Sequence, residues 1–322
     1  MKYVIINADD FGLSPSVNRG IVEAFQAGGI TSTTLMVNMP GFEEAVNLSR
    51  VHPELGVGLH FNLTYGSPVS SPRDVPSLVK QDGSFYDIKT ACTREERDIE
   101  IELNAQWHRF LATGLRPTHL DSHHHIHQIF PAVFRAMNHL AVKENIPMRR
   151  SQTSQEAISP SHLKTDHIIL DTYDKQDGLH QLLHYLHQLP EGTTEVMCHP
   201  GYIDDTLRSI SEWTEPREAE MAVYRDPMVK TTYQALGIQP IHFGMLSSLN
   251  SISPLSSTAK PPTFTVRRRI KQTRVSKRKR SGIASLSKKK KTSPQKSKNK
   301  FVTSRIKVKR AKKRNASTRK KR

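Results

Sequence analysis

Residues 118–127 contain five of the sixteen histidines of this chain and one carboxylate, in the order THLDSHHHIH. Imidazole binds transition metals and exchanges protons near neutral pH, so this density predicts a metal or proton-transfer site. The plain alternative is a His-rich surface loop or a metal-sequestering tract. Apolar residues on both sides predict a strand before the segment and a helix after it, which favours a site at the end of a strand.

Other polar residues occupy the same position relative to their own predicted strands. Asp9 and Asp10 end the first strand. His60 lies late in the third strand, and His199 follows the seventh. Each residue singly has an ordinary explanation, either a helix cap or a buried core histidine. Because the carboxyl ends of the strands in an α/β barrel converge on one face, the shared position predicts a single active site.

Two imidazoles and one carboxylate can hold a divalent ion and leave positions open for water and substrate. We therefore expect Asp10, His60 and His123 to bind the ion. Asp9 is adjacent to Asp10, and on an extended strand the two side chains diverge. That divergence predicts separate tasks, with Asp10 on the metal and Asp9 acting as the general base.

The other polar residues of the His-rich segment have several candidate tasks. Asp121 or His124 could orient a metal ligand from behind. His123 and His127 have the spacing of a helical pair, whereas His123 and His125 would share one face of a strand. The spacing leaves open whether His125 or His127 takes part directly, in the chemistry or in substrate binding.

Strands and helices alternate about eight times over residues 1–245. Short apolar, β-branched runs predict buried strands, and apolar stripes at helical spacing follow most of them. The alternation predicts an α/β fold, a closed (β/α) barrel of regular or irregular TIM-like form, with an open doubly wound sheet as the alternative. The predicted strands cover residues 3–8, 33–37, 55–63, 117–120, 146–149, 167–170, 194–198 and 240–243.

Charge is divided unevenly along the chain. Residues 251–322 hold 28 of the 48 Lys and Arg and no acidic residue, whereas residues 1–250 hold 20 basic and all 30 acidic residues. We expect a folded domain at 1–250 and a disordered basic tail at 251–322, since the tail has too few apolar residues to bury a core. The tail could bind nucleic acid or another polyanion, or have no dedicated partner.

The cysteines and the apolar runs exclude several classes of protein. Cys92 and Cys198 are the only cysteines, so no disulfide framework is implied. Cys198 precedes His199 and could be a thiol nucleophile, but its place in a buried strand favours a structural role. The amino terminus lacks a signal-peptide pattern and no run reaches membrane-span length, so we expect a cytoplasmic location. The sequence does not determine the oligomeric state, and a homodimer is compatible with it.

Four motifs occur in order along the chain, NADDFG at 7–12, GLHFNLT at 58–64, HLDSHHHIH at 119–127 and EVMCHPG at 195–201. They resemble the YdjC-like carbohydrate deacetylases, which include chitooligosaccharide deacetylase, and the resemblance covers residues 1–245. It implies a (β/α)-barrel hydrolase with a divalent ion, magnesium, although zinc or manganese would also suit these donors. His60 and His123 match the metal histidines of the family, Asp10 the metal carboxylate and Asp9 the catalytic carboxylate.

The expected reaction is hydrolysis of the acetamide of an N-acetylated mono- or oligosaccharide. Asp9 would take the proton of the attacking water, and His199 would protonate the leaving amine or stabilise the oxyanion. One alternative is another metallohydrolase on the same barrel, such as an amidase or a phosphoesterase. The other is a nucleic-acid-binding protein that acts through the basic tail.

Overall fold

The computed structural model describes residues 1–154, 156, 163–170 and 177–252, and within these ranges seven strands form one parallel sheet. The strands are β1 (Lys2–Phe11), β2 (Ser32–Leu35), β3 (Gly56–Phe61), β4 (Leu120–Ser122), β5 (His167–Ile169), β6 (Gly192–Cys198) and β7 (Gln239–Pro240).

Helices follow most of the strands and pack on the outside of the sheet. They are α1 (Pro15–Gln26), α2 (Phe42–Val51), α3 (Glu96–Leu111), α4 (Ile126–Ile129), α5 (Pro131–Glu144), α6 (Gly178–Gln188), α7 (Asp205–Ile210), α8 (Glu215–Tyr224), α9 (Pro227–Leu236) and α10 (Leu246–Ile252). The sequence explains several boundaries. Ser14 caps α1 by accepting the N–H of Val17, and proline occupies the first turn of α1, α5, α8 and α9, where no N–H is needed.

The strand order is β4-β3-β2-β1-β6-β5, with β7 beside β1. One edge of β1 pairs with β6 along seven residues. The other edge is shared, because β2 pairs from Asn7 onward and β7 pairs with Tyr3 and Val4. The sheet curves into a half-barrel, so the predicted α/β barrel is confirmed in its irregular form.

The predicted strand at 146–149 is reduced to an isolated parallel bridge between Met148 and Leu120. Pro147 has no N–H and contributes only its carbonyl, which accepts the N–H of Leu120 at 2.9 Å. A regular ladder therefore cannot form at this edge of β4. Among the described residues, β4 and β5 do not pair with each other, which leaves the barrel open on that side.

The two faces of β1 contact different parts of the core. Val4, Ile6 and Ala8 belong to the large apolar core between the sheet and the helices. Ile5 points the other way and joins a small cluster with Phe243 inside the barrel. By alternation, residues at odd positions of β1 face the barrel interior, and this places the following polar positions above that cluster.

The loop predicted between β3 and α3 is held to the body by buried carboxylates of α3. Glu102 accepts the backbone N–H groups of Val69 and Ser70 at 2.8 and 3.0 Å. Asp98 accepts the N–H of Ser77 at 2.9 Å. The loop therefore forms a fixed wall on the carboxyl side of β3.

The basic tail predicted at 251–322 lies outside the described residues from residue 253 onward. The division of the chain into a domain and a tail stays a prediction from the sequence. Among the helices that the structure describes, none combines the length and the apolar character needed to span a bilayer.

Candidate active site

The two adjacent carboxylates at the end of β1 reach the same site. Asp9 follows Ile5 and Asn7 at two-residue intervals and so points into the barrel. Strict alternation would send Asp10 to the opposite face. Asp10 instead has a left-handed backbone, with φ of 70°, and the register of β1 against β2 shifts around it. This bulge brings Asp10 back to the interior, so the expected divergence does not occur.

Asp10, His60 and His123 come together, with one donor atom of each within 4.8 Å of the other two. Asp10 Oδ1 is 3.2 Å from His60 Nε2 and 2.9 Å from His123 Nδ1. Around a divalent ion with bond lengths of about 2.1 Å, donors at right angles are about 3 Å apart. These separations therefore match the coordination shell of one divalent ion.

The second nitrogen of His60 is held from behind. His60 Nδ1 is 2.6 Å from Asp121 Oδ1 and 3.0 Å from Thr34 Oγ1. This leaves Nε2 directed at Asp10, and metal-binding histidines commonly use a carboxylate on their other nitrogen in this way. The donor set fits a divalent ion. Because it contains two imidazoles, it suits zinc, manganese or iron better than magnesium, which prefers oxygen ligands.

A second acidic group, formed by Asp9 and Asp121 beside His60, is neutralised by Arg149. Arg149 is fully buried and donates two hydrogen bonds to Asp9, of 2.6 and 2.7 Å. Its Nη2 is also 3.0 Å from Asp121, and its Nε donates to Glu195 at 2.7 Å. The guanidinium thus lies where a second cation would otherwise bind.

The two buried arginines control the charge of the carboxylates. Burial alone would raise the pKa of Asp9, but the guanidinium of Arg149 outweighs it and lowers that pKa well below its usual range. Burial likewise opposes ionisation of Asp10. Arg217, whose Nη2 is 2.6 Å from Asp10 Oδ2, outweighs burial together with His123 and His60, and the pKa of Asp10 lies well below its usual range. Both carboxylates are therefore ionised at neutral pH.

The pKa values of His60 and His199 are shifted in opposite directions. Burial would lower the pKa of His60, but Asp121 and Asp10 outweigh it and raise that pKa to about 10. Burial lowers the pKa of His199 to about 3, although Asp10 and Asp9 act against it. His199 is thus a neutral imidazole, with an N–H to donate, at neutral pH.

His199 lies beside Asp9 at the more open side of the site. Its Nε2 is 3.9 Å from Asp9 Oδ2, and its side chain is 18% exposed, against 1% for His60. The backbone N–H of His199 donates to the buried carboxylate of Glu220 at 2.5 Å. The site is therefore more accessible to solvent at His199 than at His60.

The rest of the His-rich segment does not follow either spacing considered from the sequence. His124 and His125 both have left-handed backbones, with φ of 54° and 52°, which interrupts strand and helix alike. His124 Nδ1 is 2.9 Å from Thr64 Oγ1. His127 is buried, with Nδ1 2.6 Å from Ser122 Oγ. His127 thus supports the strand end, and a direct role for His125 stays a prediction.

Cys198 precedes His199 but belongs to the apolar core. Its thiol is fully buried, with Sγ 3.6 Å from the carbonyl oxygen of Asn7. Burial raises the pKa of the thiol well above its usual value. A buried, protonated thiol is a poor nucleophile, which agrees with the structural role expected from the sequence.

Four buried ionisable residues of the site were missed by sequence reasoning, namely Arg149, Glu195, Arg217 and Glu220. A signal was available for the last two. Both lie in the buried stripe of α8, three residues apart, where Met221 and Tyr224 supply the apolar contacts. A charge in such a stripe requires a partner inside the protein. The identity of that partner could not be read from the sequence.

Comparison with known proteins gives consistent matches to the first three quarters of the chain. A family model described as YdjC-like protein matches residues 3–235. A carbohydrate deacetylase from Geobacillus stearothermophilus is 45% identical over 247 residues, which cover 75% of this chain and 97% of that protein. A chitooligosaccharide deacetylase from Salmonella dublin is 37% identical over 253 residues, covering 75% and 98% respectively.

One solved structure is also similar in sequence and fold. It is a crystal structure from Enterococcus faecalis V583, described as a cellobiose-phosphate cleavage protein. It has 32% sequence identity and a TM-score of 0.71, and the match covers 77% of this chain and 98% of that one.

Proposed function

The chain belongs to the YdjC-like protein family, and from that membership we propose that it is a metal-dependent carbohydrate deacetylase. Relatives named carbohydrate deacetylase and chitooligosaccharide deacetylase align over almost their whole length. The observation that carries the proposal is the convergence of Asp10, His60 and His123, with the ionised Asp9 beside them. The substrate would be an N-acetylated mono- or oligosaccharide, and the products acetate and a free amino sugar.

Asp9 is the proposed general base. When bound, a divalent ion would supply Lewis-acid activation of the amide carbonyl and of the attacking water. Arg149 fixes both oxygens of Asp9 and keeps the carboxylate ionised. A carboxylate of low pKa is a weak base. Asp9 could therefore deprotonate only a water that is more acidic than bulk water, which is the condition that a bound divalent ion would supply.

His199 is proposed to act on the other side of the scissile bond. As a neutral imidazole it can donate its N–H to the oxyanion that develops when water adds to the carbonyl. The alternative task is proton delivery to the leaving nitrogen. For that task Nε2, which is 3.9 Å from Asp9, would have to be the unprotonated nitrogen, so that it could receive the proton that Asp9 has taken from the water. The two tasks require different tautomers of the ring and are therefore alternatives.

Removal and replacement of the metal tests this proposal. We expect purified protein to release acetate from N,N′-diacetylchitobiose, to lose that activity after dialysis against a chelator and to regain it with a divalent ion. Zinc or manganese should act at lower concentration than magnesium, since two of the three donors are imidazoles. Elemental analysis of the protein as purified would identify the resident ion.

The alternative reactions serve as controls for the same preparation. An aryl phosphate and a simple N-acetyl amide without a sugar should be hydrolysed far more slowly than the acetylated disaccharide. Hydrolysis of the phosphate ester without acetate release from any acetylated sugar would instead identify a phosphoesterase on this barrel.

A second activity is proposed for the basic tail at 251–322, which carries 28 Lys and Arg without an acidic residue. The relatives reach almost their full length within 75% of this chain, so most of the tail is an addition to the shared domain. We expect it to bind nucleic acid without sequence choice. With six to ten phosphate contacts, affinity should fall about 10³-fold or more between 50 and 200 mM salt.

Filter binding of DNA and RNA by the full chain and by a chain ending at residue 252, the end of α10, measures this effect. Retention that is insensitive to salt, or that survives deletion of the tail, would contradict it. Acetate release should be the same for both chains, because the proposed catalytic residues precede the tail.

A further inference from the structure

Arg217 is a buried cation that contacts Asp10 from a helix distant in sequence. It lies in α8, is 3% exposed, and places Nη2 2.6 Å from Asp10 Oδ2. Its Nε donates to the carbonyl of Trp213 at 3.0 Å. A guanidinium is costly to bury unless its N–H groups are bonded, and these two contacts engage Nη2 and Nε, while Nη1 makes no hydrogen bond to the described residues.

The contact determines which oxygen of Asp10 faces the imidazoles. Arg217 takes Oδ2, and Oδ1 is left 3.2 Å from His60 Nε2 and 2.9 Å from His123 Nδ1. A short, charge-assisted hydrogen bond of this kind fixes the orientation of a carboxylate. Asp10 needs such support because its backbone, with φ of 70°, lies in a region that residues other than glycine rarely adopt.

The other buried guanidinium at this site is already engaged. Arg149 directs its N–H groups to Asp9, Asp121 and Glu195. Each of the two arginines thus contacts a different one of the two adjacent carboxylates. Arg149 holds the proposed base, and Arg217 holds the proposed metal ligand.

The helix α8 also holds the loop that carries His199. Glu220, one turn after Arg217, accepts the backbone N–H of His199 at 2.5 Å. The carbonyl of Arg217 accepts the N–H of Gly201 at 3.2 Å. One helix therefore contacts both the carboxylate of Asp10 and the backbone on each side of Pro200. In this way α8 holds Asp10 and the backbone of His199 in a fixed relation to each other.

We propose that Arg217 is a positioning residue that presents Asp10 Oδ1 to a divalent ion. The inference rests on the proposed metal-dependent function. Arg217 acts through Asp10 and needs no contact with substrate. Its charge alone would have the opposite effect, since a cation near a metal site repels the ion and its removal would strengthen binding.

Titration of chelator-treated full-length protein with Co²⁺, followed by calorimetry and by visible absorption, tests this role. We expect Arg217→Met to weaken Co²⁺ binding by about 10- to 100-fold and to alter the absorption band, as for other residues that orient metal ligands. Arg217→Lys should lose several-fold, because one ammonium cannot contact both Asp10 and Trp213. Arg225→Met is the matched control at the end of α8, where Arg225 contacts the exposed side of Glu23 at 3.2 Å, and it should bind Co²⁺ like the wild type.

Wild-type or tighter affinity in Arg217→Met would overturn the inference. If that variant fails to fold, Arg217→Lys decides, since several-fold weaker binding supports the positioning role and wild-type binding overturns it. The variant Asp10→Asn distinguishes an error about Arg217 from an error about the metal site. If the wild type and Asp10→Asn bind Co²⁺ equally, Asp10 is not a metal ligand, and both the proposed metal site and the role of Arg217 are contradicted.

Discussion

Replacement of Asp9 by asparagine is expected to lower kcat for acetate release by about 10²- to 10⁴-fold, the range that general-base catalysis contributes. The amide has nearly the same shape and can still accept a bond from Arg149, but it cannot take a proton. KM and the affinity for Co²⁺ should change little, because Asp9 is not among the proposed metal ligands. Steady-state kinetics with an acetylated disaccharide and metal titration of the same variant provide the two measurements.

Glu195→Gln is the control for disturbance of Arg149. It removes the carboxylate on the other side of the same guanidinium, where Arg149 Nε donates at 2.7 Å, but it changes no group near His199. We expect it to lose less than about tenfold in kcat, well below the effect of a missing base. If Asp9→Asn keeps activity within that margin, the base lies elsewhere.

Replacement of Arg149 by methionine should destabilise the fold by about 3–5 kcal/mol, the usual cost of removing one partner from a buried ion pair. The substitution leaves Asp9, Asp121 and Glu195 buried without the cation that neutralises them. Chemical denaturation of metal-free protein at neutral pH measures the difference. Deacetylase activity should fall together with stability, because Asp9 loses the two bonds that orient it.

The loss should depend on pH with a defined sign. Burial raises the pKa of Glu195 to about 7 even though Arg149 opposes the shift, so without Arg149 the pKa rises further. A carboxyl whose pKa is higher in the folded chain stabilises the fold while protonated, and that contribution is lost as pH rises through the folded pKa. The deficit of Arg149→Met should therefore be larger near pH 8 than near pH 6.

Arg135→Met offers a comparison on the surface. Arg135 pairs with Glu96 at 2.9 Å between α5 and α3, and its side chain is 54% exposed. Loss of an exposed pair costs about 1 kcal/mol or less. Similar losses for the two variants would show that Arg149 is not the neutralising centre of a buried carboxylate group.

These expectations describe a site assembled from two carboxylate groups, each with its own arginine. Asp9 pairs with Arg149 on the side proposed to accept a proton, and Asp10 pairs with Arg217 on the side proposed to bind the metal. His60 lies between them and contacts Asp10 with one nitrogen and Asp121 with the other. The separation matters because the two carboxylates have different proposed tasks. Asp10 would present an oxygen to a divalent ion, whereas Asp9 would accept a proton while Arg149 holds it in place.

Local chemistry was sufficient to predict the fold class and which residues converge at the candidate site. The alternation of apolar β-branched runs with helical stripes predicted parallel strands with helices between them, because each such unit must bury one apolar face. Polar residues at the ends of those runs then had to meet at one edge of the sheet. For that reason His60, His123 and the Asp9-Asp10 pair were found without any knowledge of their contacts.

The tertiary structure decided how those residues are held. Asp10, His124 and His125 adopt left-handed backbones, with φ of 70°, 54° and 52°, which side-chain type does not predict for residues other than glycine. Arg149 and Arg217 reach the site from positions 140 and 207 residues away from their aspartates. Such pairings depend on how the sheet curves and how the helices pack on it, and not on local spacing. The sequence therefore indicated the candidate site and His123 within the His-rich segment, while long-range packing decided how Asp10 is oriented toward His123 and which arginine holds it.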